Sequence, residues 1–310
     1  MIDASDDAEN RNPSNAALLE VWRDEPAPLL PLLHAFHERD GHLSEEALHF
    51  VAKGLRIPIA DLFGTITFYH HFSRDAGGLA RPRVCTGPVC TLRGAAGLIA
   101  ELEASGANPE AMPCPGRCET PIPVLQGATV SIGTTATELV ADPAPLPPTA
   151  PEGISECVFA DIRESGQHTL TGYRSRGGYE SLAKAVNELE PSDVLDLMDA
   201  SGLAGRGGAG FPTGRKWRAV ADAEGSPKTI VCNADEGEPG CFKDRVLMDA
   251  NPHSLIEGMA IAARACGANR GFIYLRYEYP DTFHTLETAI TEAESAGLLG
   301  DNILDSDFSF

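Results

Sequence analysis

Four cysteines are the residues best suited to chemistry: Cys85 and Cys90 form one close pair, Cys114 and Cys118 another. Four thiolates so paired suit a [2Fe–2S] cluster, and they also suit a structural zinc ion with four cysteine ligands. Four reduced thiols that merely fill a core are the plain alternative. Each pair is expected where a strand gives way to a loop, so four sulfurs could converge at one end of a small sheet. Gly87, Pro88, Pro115 and Gly116 flank them. Glycine-rich turns expose backbone N–H groups that hydrogen-bond sulfur and offset thiolate charge. A helix beginning just after Cys90 would aim its positive end at the same place. Cys157, Cys232, Cys241 and Cys266 make no such pattern and are expected to be mostly buried, non-catalytic thiols. The nine histidines lack carboxylate or cysteine partners at ligand spacing, so surface or core placement is expected.

A second candidate is Gly205-Arg-Gly-Gly-Ala-Gly210, which satisfies G-x-G-x-x-G. The dinucleotide fingerprint needs a strand before that loop. Here Val194, Leu195, Leu197 and Met198 precede it at helical spacing, so the ordinary Rossmann reading fails. The physics survives, because consecutive glycines let backbone N–H groups approach a phosphate and Arg206, Arg215 and Lys216 supply charge. The third candidate, Asn233-Ala-Asp-Glu-Gly-Glu-Pro-Gly240, follows a strand over residues 229–232. Ligands in open α/β sheets sit beyond the carboxyl ends of strands. Asn233 can donate and accept at a flavin edge or ribityl chain, and Asp235 and Glu236 can accept from sugar or ring N–H groups. Taken singly, a flexible loop and a solvated acidic turn explain these two segments as well.

These residues must be held by real cores, and the composition supplies them: 310 residues, 43% hydrophobic, enough for two domains. A net charge of −21 and a pI near 4.7 argue against nucleic acid as a partner, though not against a local basic pocket. No apolar run is long enough for a membrane span. The acidic, polar N-terminus is wrong for a signal peptide, so a cytoplasmic location is expected, with thiols reduced.

Residues 1–15 read as a disordered lead. Residues 16–140 read as a helical prefix plus a thioredoxin-like α/β domain. One helix carries Leu29, Leu32, Leu33 and Phe36 on one face. Ser44 caps the next, whose stripe is Leu48, Val51, Ala52 and Leu55, and a third runs through Leu62, Phe63, Ile66 and Tyr69. A strand ending at Cys85, a helix over about 91–104 and two strands flanking Gln126-Gly127 complete it. Five prolines between Ala141 and Pro151 make residues 141–152 a semi-rigid linker. Residues 153–310 alternate helix and strand as in a parallel α/β sheet. Their last stretch, from Leu299, stops where another strand is expected, so only the N-terminal part of that domain is expected.

Val84-Cys-Thr-Gly-Pro-Val-Cys-Thr-Leu-Arg-Gly94, with Cys114-Pro-Gly-Arg-Cys118 and the preceding Leu29–Phe36 and Thr65–Phe72 helices, resembles the thioredoxin-like [2Fe–2S] subunit of respiratory complex I and its relatives. The resemblance covers about residues 28–133. The segment from Pro109 to Pro113 is shorter than the family's, so a trimmed sheet is expected. Gly205-Arg-Gly-Gly-Ala-Gly-Phe-Pro-Thr-Gly-Arg-Lys-Trp217, Cys232-Asn-Ala-Asp-Glu-Gly-Glu-Pro-Gly240, Lys243-Asp-Arg245 and Pro252-His-x-Leu-Ile-Glu-Gly258 resemble the NADH-binding flavoprotein subunit of complex I. Diaphorase subunits of NAD-reducing hydrogenases and beta subunits of NAD-dependent formate dehydrogenases are similar in the same way, over about residues 193–305.

The resemblance implies the fold class: a helical prefix with a thioredoxin-like [2Fe–2S] domain, then a partial α/β FMN/NADH-binding domain. It implies that Cys85, Cys90, Cys114 and Cys118 hold the cluster. It implies that Gly205, Arg206, Gly207, Gly208, Ala209, Gly210, Phe211, Pro212, Thr213, Gly214 and Lys216 cradle the FMN phosphate and the nucleotide. Phe211 would stack on adenine, Asn233, Asp235 and Glu236 would line FMN, and Glu238 would lie beside the nicotinamide. A [4Fe–4S] cluster is expected only in sequence beyond residue 310. The implied activity is that of an NADH:acceptor oxidoreductase subunit passing electrons between NAD(H), FMN and iron–sulfur clusters. Its partners would be redox subunits of hydrogenase, formate dehydrogenase or complex I type, in the cytoplasm or on the cytoplasmic side of a membrane complex. The 310-residue piece alone is expected to be inactive. A scaffold subunit that has lost its cofactors is the rival reading, and the intact glycine loop and cysteine quartet argue against it. A dithiol oxidoreductase would carry C-x-x-C, which is absent.

Overall fold

The computed structural model describes residues 13–310, so most of the expected disordered lead lies outside the described residues. The chain divides into two units. The first takes residues up to Pro113 and Pro121–Asp142; the second takes Cys114–Thr120 and Pro143–Phe310.

The first unit opens with four helices: α1 (Asn15–Trp22), α2 (Leu29–Asp40), α3 (Glu45–Leu55) and α4 (Ile59–Phe68). The Ser44 hydroxyl accepts the Ala47 N–H at 3.1 Å, and Glu45 and Glu46 stand at the positive end of α3. The stripe Ala47, Leu48, Val51 and Ala52 is buried against Leu32, Leu33, Phe36, Leu62 and Ile66. Helix α1 begins where the lead was expected to end, with Ser14 as its cap. It buries no residue fully and docks through half-buried Leu18, Leu19 and Trp22. A Cβ on Gly54 would fall 2.5 Å from Leu19, so glycine lets the two helices meet.

Next come β1 (Arg83–Cys85), α5 (Pro88–Leu92), α6 (Ala95–Ala104), β2 (Glu110–Met112), β3 (Pro123–Gln126), β4 (Thr129–Ile132) and β5 (Val140–Ala141). They form a five-stranded sheet in the order β2-β1-β3-β4-β5, with β2 parallel to β1 and the other pairings antiparallel. The helix expected over 91–104 is two helices. Gly94, at φ +98°, breaks it in a conformation that suits glycine. Cys90 therefore lies inside α5 rather than before a helix. The short segment ending at Pro113 does not trim the sheet. Glu110, Ala111 and Met112 themselves pair with Arg83, Val84 and Cys85.

His37 is completely buried beside His71 in this unit. The Ser73 N–H donates to His37 Nε2 at 3.1 Å, so the neutral ring carries its proton on Nδ1, which lies 3.1 Å from His71 Nε2. His34 stacks on His71 with centroids 5.2 Å apart. Burial holds His34 and His37 down at about 4 and His71 lower still, with Arg83 adding repulsion to His37 and His71. The unfolded chain takes up these protons near pH 6.5 and the folded chain does not, so stability is full above that pH and falls as pH drops towards 4. His37 alone accounts for a loss on the order of 3 kcal/mol across that window. In a Trp217→Phe chain, emission from Trp22 should report a urea midpoint that falls steadily from pH 6.5 to 4. A flat midpoint would show that the three rings do not control acid stability.

The second unit contains α7 (Leu170–Arg174), α8 (Glu180–Asn187), α9 (Pro191–Ala200), α10 (Thr213–Asp222), β6 (Thr229–Ala234), α11 (Lys243–Ala250), α12 (Pro252–Cys266), β7 (Arg270–Leu275) and α13 (Pro280–Ser295). Strands β6 and β7 are parallel and in register from Thr229↔Arg270 to Ala234↔Leu275. Helix α12 is the centre of the core, burying Ile256, Ala260 and Ala263 with Leu182, Ala289, Leu298 and Phe308. Two of its polar residues serve the fold. The Glu257 carboxylate accepts from the N–H groups of Tyr179 and Leu182, both at 3.0 Å, and so caps α8. His253 links Tyr179 to Glu292, each at 3.0 Å. Among the described residues no helix is long and apolar enough to cross a membrane.

Candidate cofactor sites

The glycine loop is an excursion pinned at its base. Thr213 N–H donates to Leu203 at 2.8 Å and Gly205 N–H to Phe211 at 2.9 Å, with a bridge between Ala204 and Pro212. Gly208 and Gly210 adopt φ of +98° and +59°. At Gly207, Gly208 and Gly210 a Cβ would meet nothing within 4 Å. The missing side chains thus leave space open rather than let the chain pack on itself. Gly214 is the opposite case. A Cβ there would fall 2.0 Å from Asp199 Oδ1, so this glycine seats α10 against α9. Pro212 precedes α10 and offers no side chain to cap it, which leaves a positive helix end beside the loop. Arg206, Arg215 and Lys216 are exposed, and the Arg215 guanidinium lies 5.6 Å from the Phe211 ring centroid. Half-exposed Phe211 lines a shallow apolar groove with Lys216, Ala219, Val220 and Ala223. Such a loop can bind a phosphate on its backbone and a flat ring on Phe211.

Strand β6 runs to Ala234, two residues further than expected, and the acidic loop leaves its carboxyl end. Asn233 Oδ1 accepts the Asp235 N–H at 3.2 Å and turns the chain. Asp235 and Glu238 are exposed. Glu236 has a different fate. It is 3% exposed, and its carboxylate accepts the N–H groups of Asp244 at 3.1 Å and Arg245 at 3.3 Å, with Tyr279 Oη at 3.3 Å. It caps α11 and fixes the loop, so its carboxylate is turned away from the loop's exposed side.

Cys85 ends β1 and Cys90 lies in α5, both buried in the first unit. Cys114 and Cys118 belong to the second unit, with their sulfurs 3.4 Å apart. Burial pushes the Cys118 thiol up, and neighbouring Cys114 adds to this. Backbone N–H groups donate to three of the four sulfurs: Gly87 to Cys85 at 3.4 Å, Gly116 to Cys114 at 3.4 Å, and Gly240 to Cys118 at 3.2 Å. Soft sulfur donors with N–H groups aimed at them fit a charged iron–sulfur centre. As the side chains stand, no three His, Cys, Asp or Glu among the described residues are arranged to hold a metal ion.

Two residues around the second pair were not anticipated from sequence. Tyr279, fully buried, faces Gly116. Arg276, just past the carboxyl end of β7, donates to the carbonyls of both Cys114 and Glu236. The general placement of ligands beyond parallel strands is the signal that could have drawn attention to Arg276. Of the other cysteines, Cys266 is buried and Cys232 and Cys241 are partly so, but Cys157 is exposed. The expectation of a buried thiol fails at Cys157, which follows the proline-rich stretch and lies outside every helix and strand.

Residues 16–126 match the family model of the thioredoxin-like [2Fe–2S] ferredoxin, and residues 198–307 match that of the Nuo51 FMN-binding domain. An F-type subunit of the NADH-quinone oxidoreductase of Rhizobium meliloti is 51% identical over 143 residues, which is 46% of this chain and 34% of that protein. The NAD-reducing hydrogenase HoxS subunit alpha of Cupriavidus necator is 32% identical over 91% of this chain and 51% of its own length. A crystal structure of an NAD+-reducing [NiFe]-hydrogenase superposes with a TM-score of 0.66 at 26% identity, covering 86% of this chain and 49% of that one. The chain thus spans between a third and about half of the length of these relatives.

Proposed function

We propose that this chain, which joins a thioredoxin-like [2Fe–2S] ferredoxin domain to an FMN-binding domain of the Nuo51 family, oxidises NADH and hands the electrons to partner redox subunits. The pinned, open glycine loop carries this reading. Residues 205–211, the start of α10, Arg206 and Lys216 would hold phosphate groups of FMN and the nucleotide. Phe211 offers its exposed face to adenine, Asn233 and Asp235 line the flavin, and Glu236 keeps their loop in place. Glu238 stands beside the nicotinamide. FMN, when bound, supplies the two-electron acceptor for the hydride; the protein contributes orientation, exclusion of water and charge. Cys85, Cys90, Cys114 and Cys118 are the proposed cluster ligands. The relatives' names point to a multi-subunit complex of hydrogenase or complex I type, and the reduced thiols favour the cytoplasm.

The test is reconstitution of the full chain with FMN, iron and sulfide without oxygen, followed by gel filtration. One FMN with two irons and two sulfides per chain is expected. Bound zinc without sulfide, together with no retained flavin, would favour a scaffold subunit.

Charge gives a sharper test of Glu238. A carboxylate beside nicotinamide favours the cationic ring of NAD+ over neutral NADH, by about 1 kcal/mol. Glu238→Gln should therefore weaken NAD+ roughly fivefold relative to NADH, with FMN content unchanged. An unaltered ratio of the two dissociation constants would remove Glu238 from the nicotinamide site.

A further inference from the structure

We propose that Arg276 is a positioning residue that ties the Cys114–Cys118 segment to the acidic loop and raises the reduction potential of the centre those cysteines ligate. The inference rests on the reading of Cys114 and Cys118 as cluster ligands. Arg276 is 8% exposed, and each arm of its guanidinium has a partner within the second unit. Nη2 donates to the Cys114 carbonyl at 2.7 Å, Nη1 to the Glu236 carbonyl, and Nε to Glu278 Oε2 at 3.2 Å. The register Ala234↔Leu275 explains the reach, because it sets Arg276 level with Asp235 at the ends of two parallel strands. A planar guanidinium has fixed donor directions and keeps its charge when buried. One side chain therefore fixes the distance between a ligand's carbonyl and the loop proposed to line FMN.

The same charge has a redox consequence. One electron takes a [2Fe–2S] unit with four thiolates from a net charge of −2 to −3, with no proton taken up. A buried cation next to a ligand's backbone favours the more negative state, so the electron is held more tightly. Glu278 offsets part of that cation. The other charges near the segment are paired among themselves: Arg245 with Glu119 and Asp249, and Arg117 with Asp281 at 3.6 Å.

The experiment is a dithionite titration of the full reconstituted chain, with the reduced cluster followed by its paramagnetic signal, alongside iron and sulfide content. Arg276→Gln should move the midpoint to lower potential. Arg276→Lys, which keeps the charge but loses the fork, should leave the midpoint near native and weaken FMN binding. Glu278→Gln should move the midpoint up, and it decides the matter if Arg276→Gln assembles no cluster. A merely structural arginine would not produce opposite shifts. Equal midpoints in Arg276→Gln, Glu278→Gln and the native chain would refute the electrostatic role, and native FMN affinity in Arg276→Lys would refute the tether. A native chain that takes up no iron and sulfide would instead refute the ligand reading.

Discussion

Replacing Gly116 with alanine is expected to destabilise the second unit by about 2–5 kcal/mol, adding a left-handed backbone cost to an overpacked contact. Gly116 has φ +70°, and a Cβ there would lie 2.1 Å from Tyr279 Oη and 2.9 Å from Cζ. The ring has little room to yield. It is fully buried, the Arg276 and Arg245 guanidinia lie 5.3 and 5.9 Å from its centroid, and its hydroxyl reaches Glu236. A loss of that size is a large part of the roughly 5–15 kcal/mol that holds a domain folded. Urea unfolding followed by Trp217 emission in a Trp22→Phe chain measures it, and iron uptake should fall in parallel. Adding Tyr279→Phe removes the nearest atom and should restore part of the loss, a coupling that a double-mutant cycle reads directly. An unchanged urea midpoint in Gly116→Ala would mean that Tyr279 does not pack against this turn.

Gly208→Val should separate binding from folding. At φ +98°, with nothing within 4 Å of where a Cβ would stand, the chain itself has room for a side chain, but the backbone angle suits only glycine. The exposed loop can relax at small cost to stability, whereas a phosphate seated on its N–H groups cannot follow. FMN affinity is therefore expected to fall on the order of 100-fold, equivalent to about 3 kcal/mol, with little change in the urea midpoint. Gly214→Ala provides the opposite pattern, because its methyl would strike Asp199 and so lower stability first. Full FMN affinity in Gly208→Val would remove this loop from the flavin site.

Helices α2, α3, α4 and α12 were legible because their apolar stripes repeat at helical spacing, with Ser44 and Pro252 marking two of the starts. Helix α1 was not, since none of its residues is fully buried and its docking depends on a glycine in another helix. Strand β2 has no alternation to reveal it; Glu110, Ala111 and Met112 become a strand because the edge of β1 is open to pair with them. The candidate site was legible where chemistry is local, as in the glycine loop and the cysteine spacings. It was hidden where partners are distant in sequence. Glu236 and Glu238 look alike in the chain, yet only the first is drawn inward, because α11 begins where its N–H groups can reach that carboxylate. Arg276 acquires its place from the register of two strands and from Cys114, 162 residues away.

The central claim is hydride transfer from NADH to a flavin held by this chain, and anaerobic stopped-flow mixing tests it most directly. The FMN-reconstituted chain should lose its flavin absorbance on mixing with NADH, more slowly when the transferred hydrogen at nicotinamide C4 is deuterium, and hardly at all when Gly208→Val has emptied the site. Flavin that stays bound and oxidised in the presence of excess NADH would contradict it.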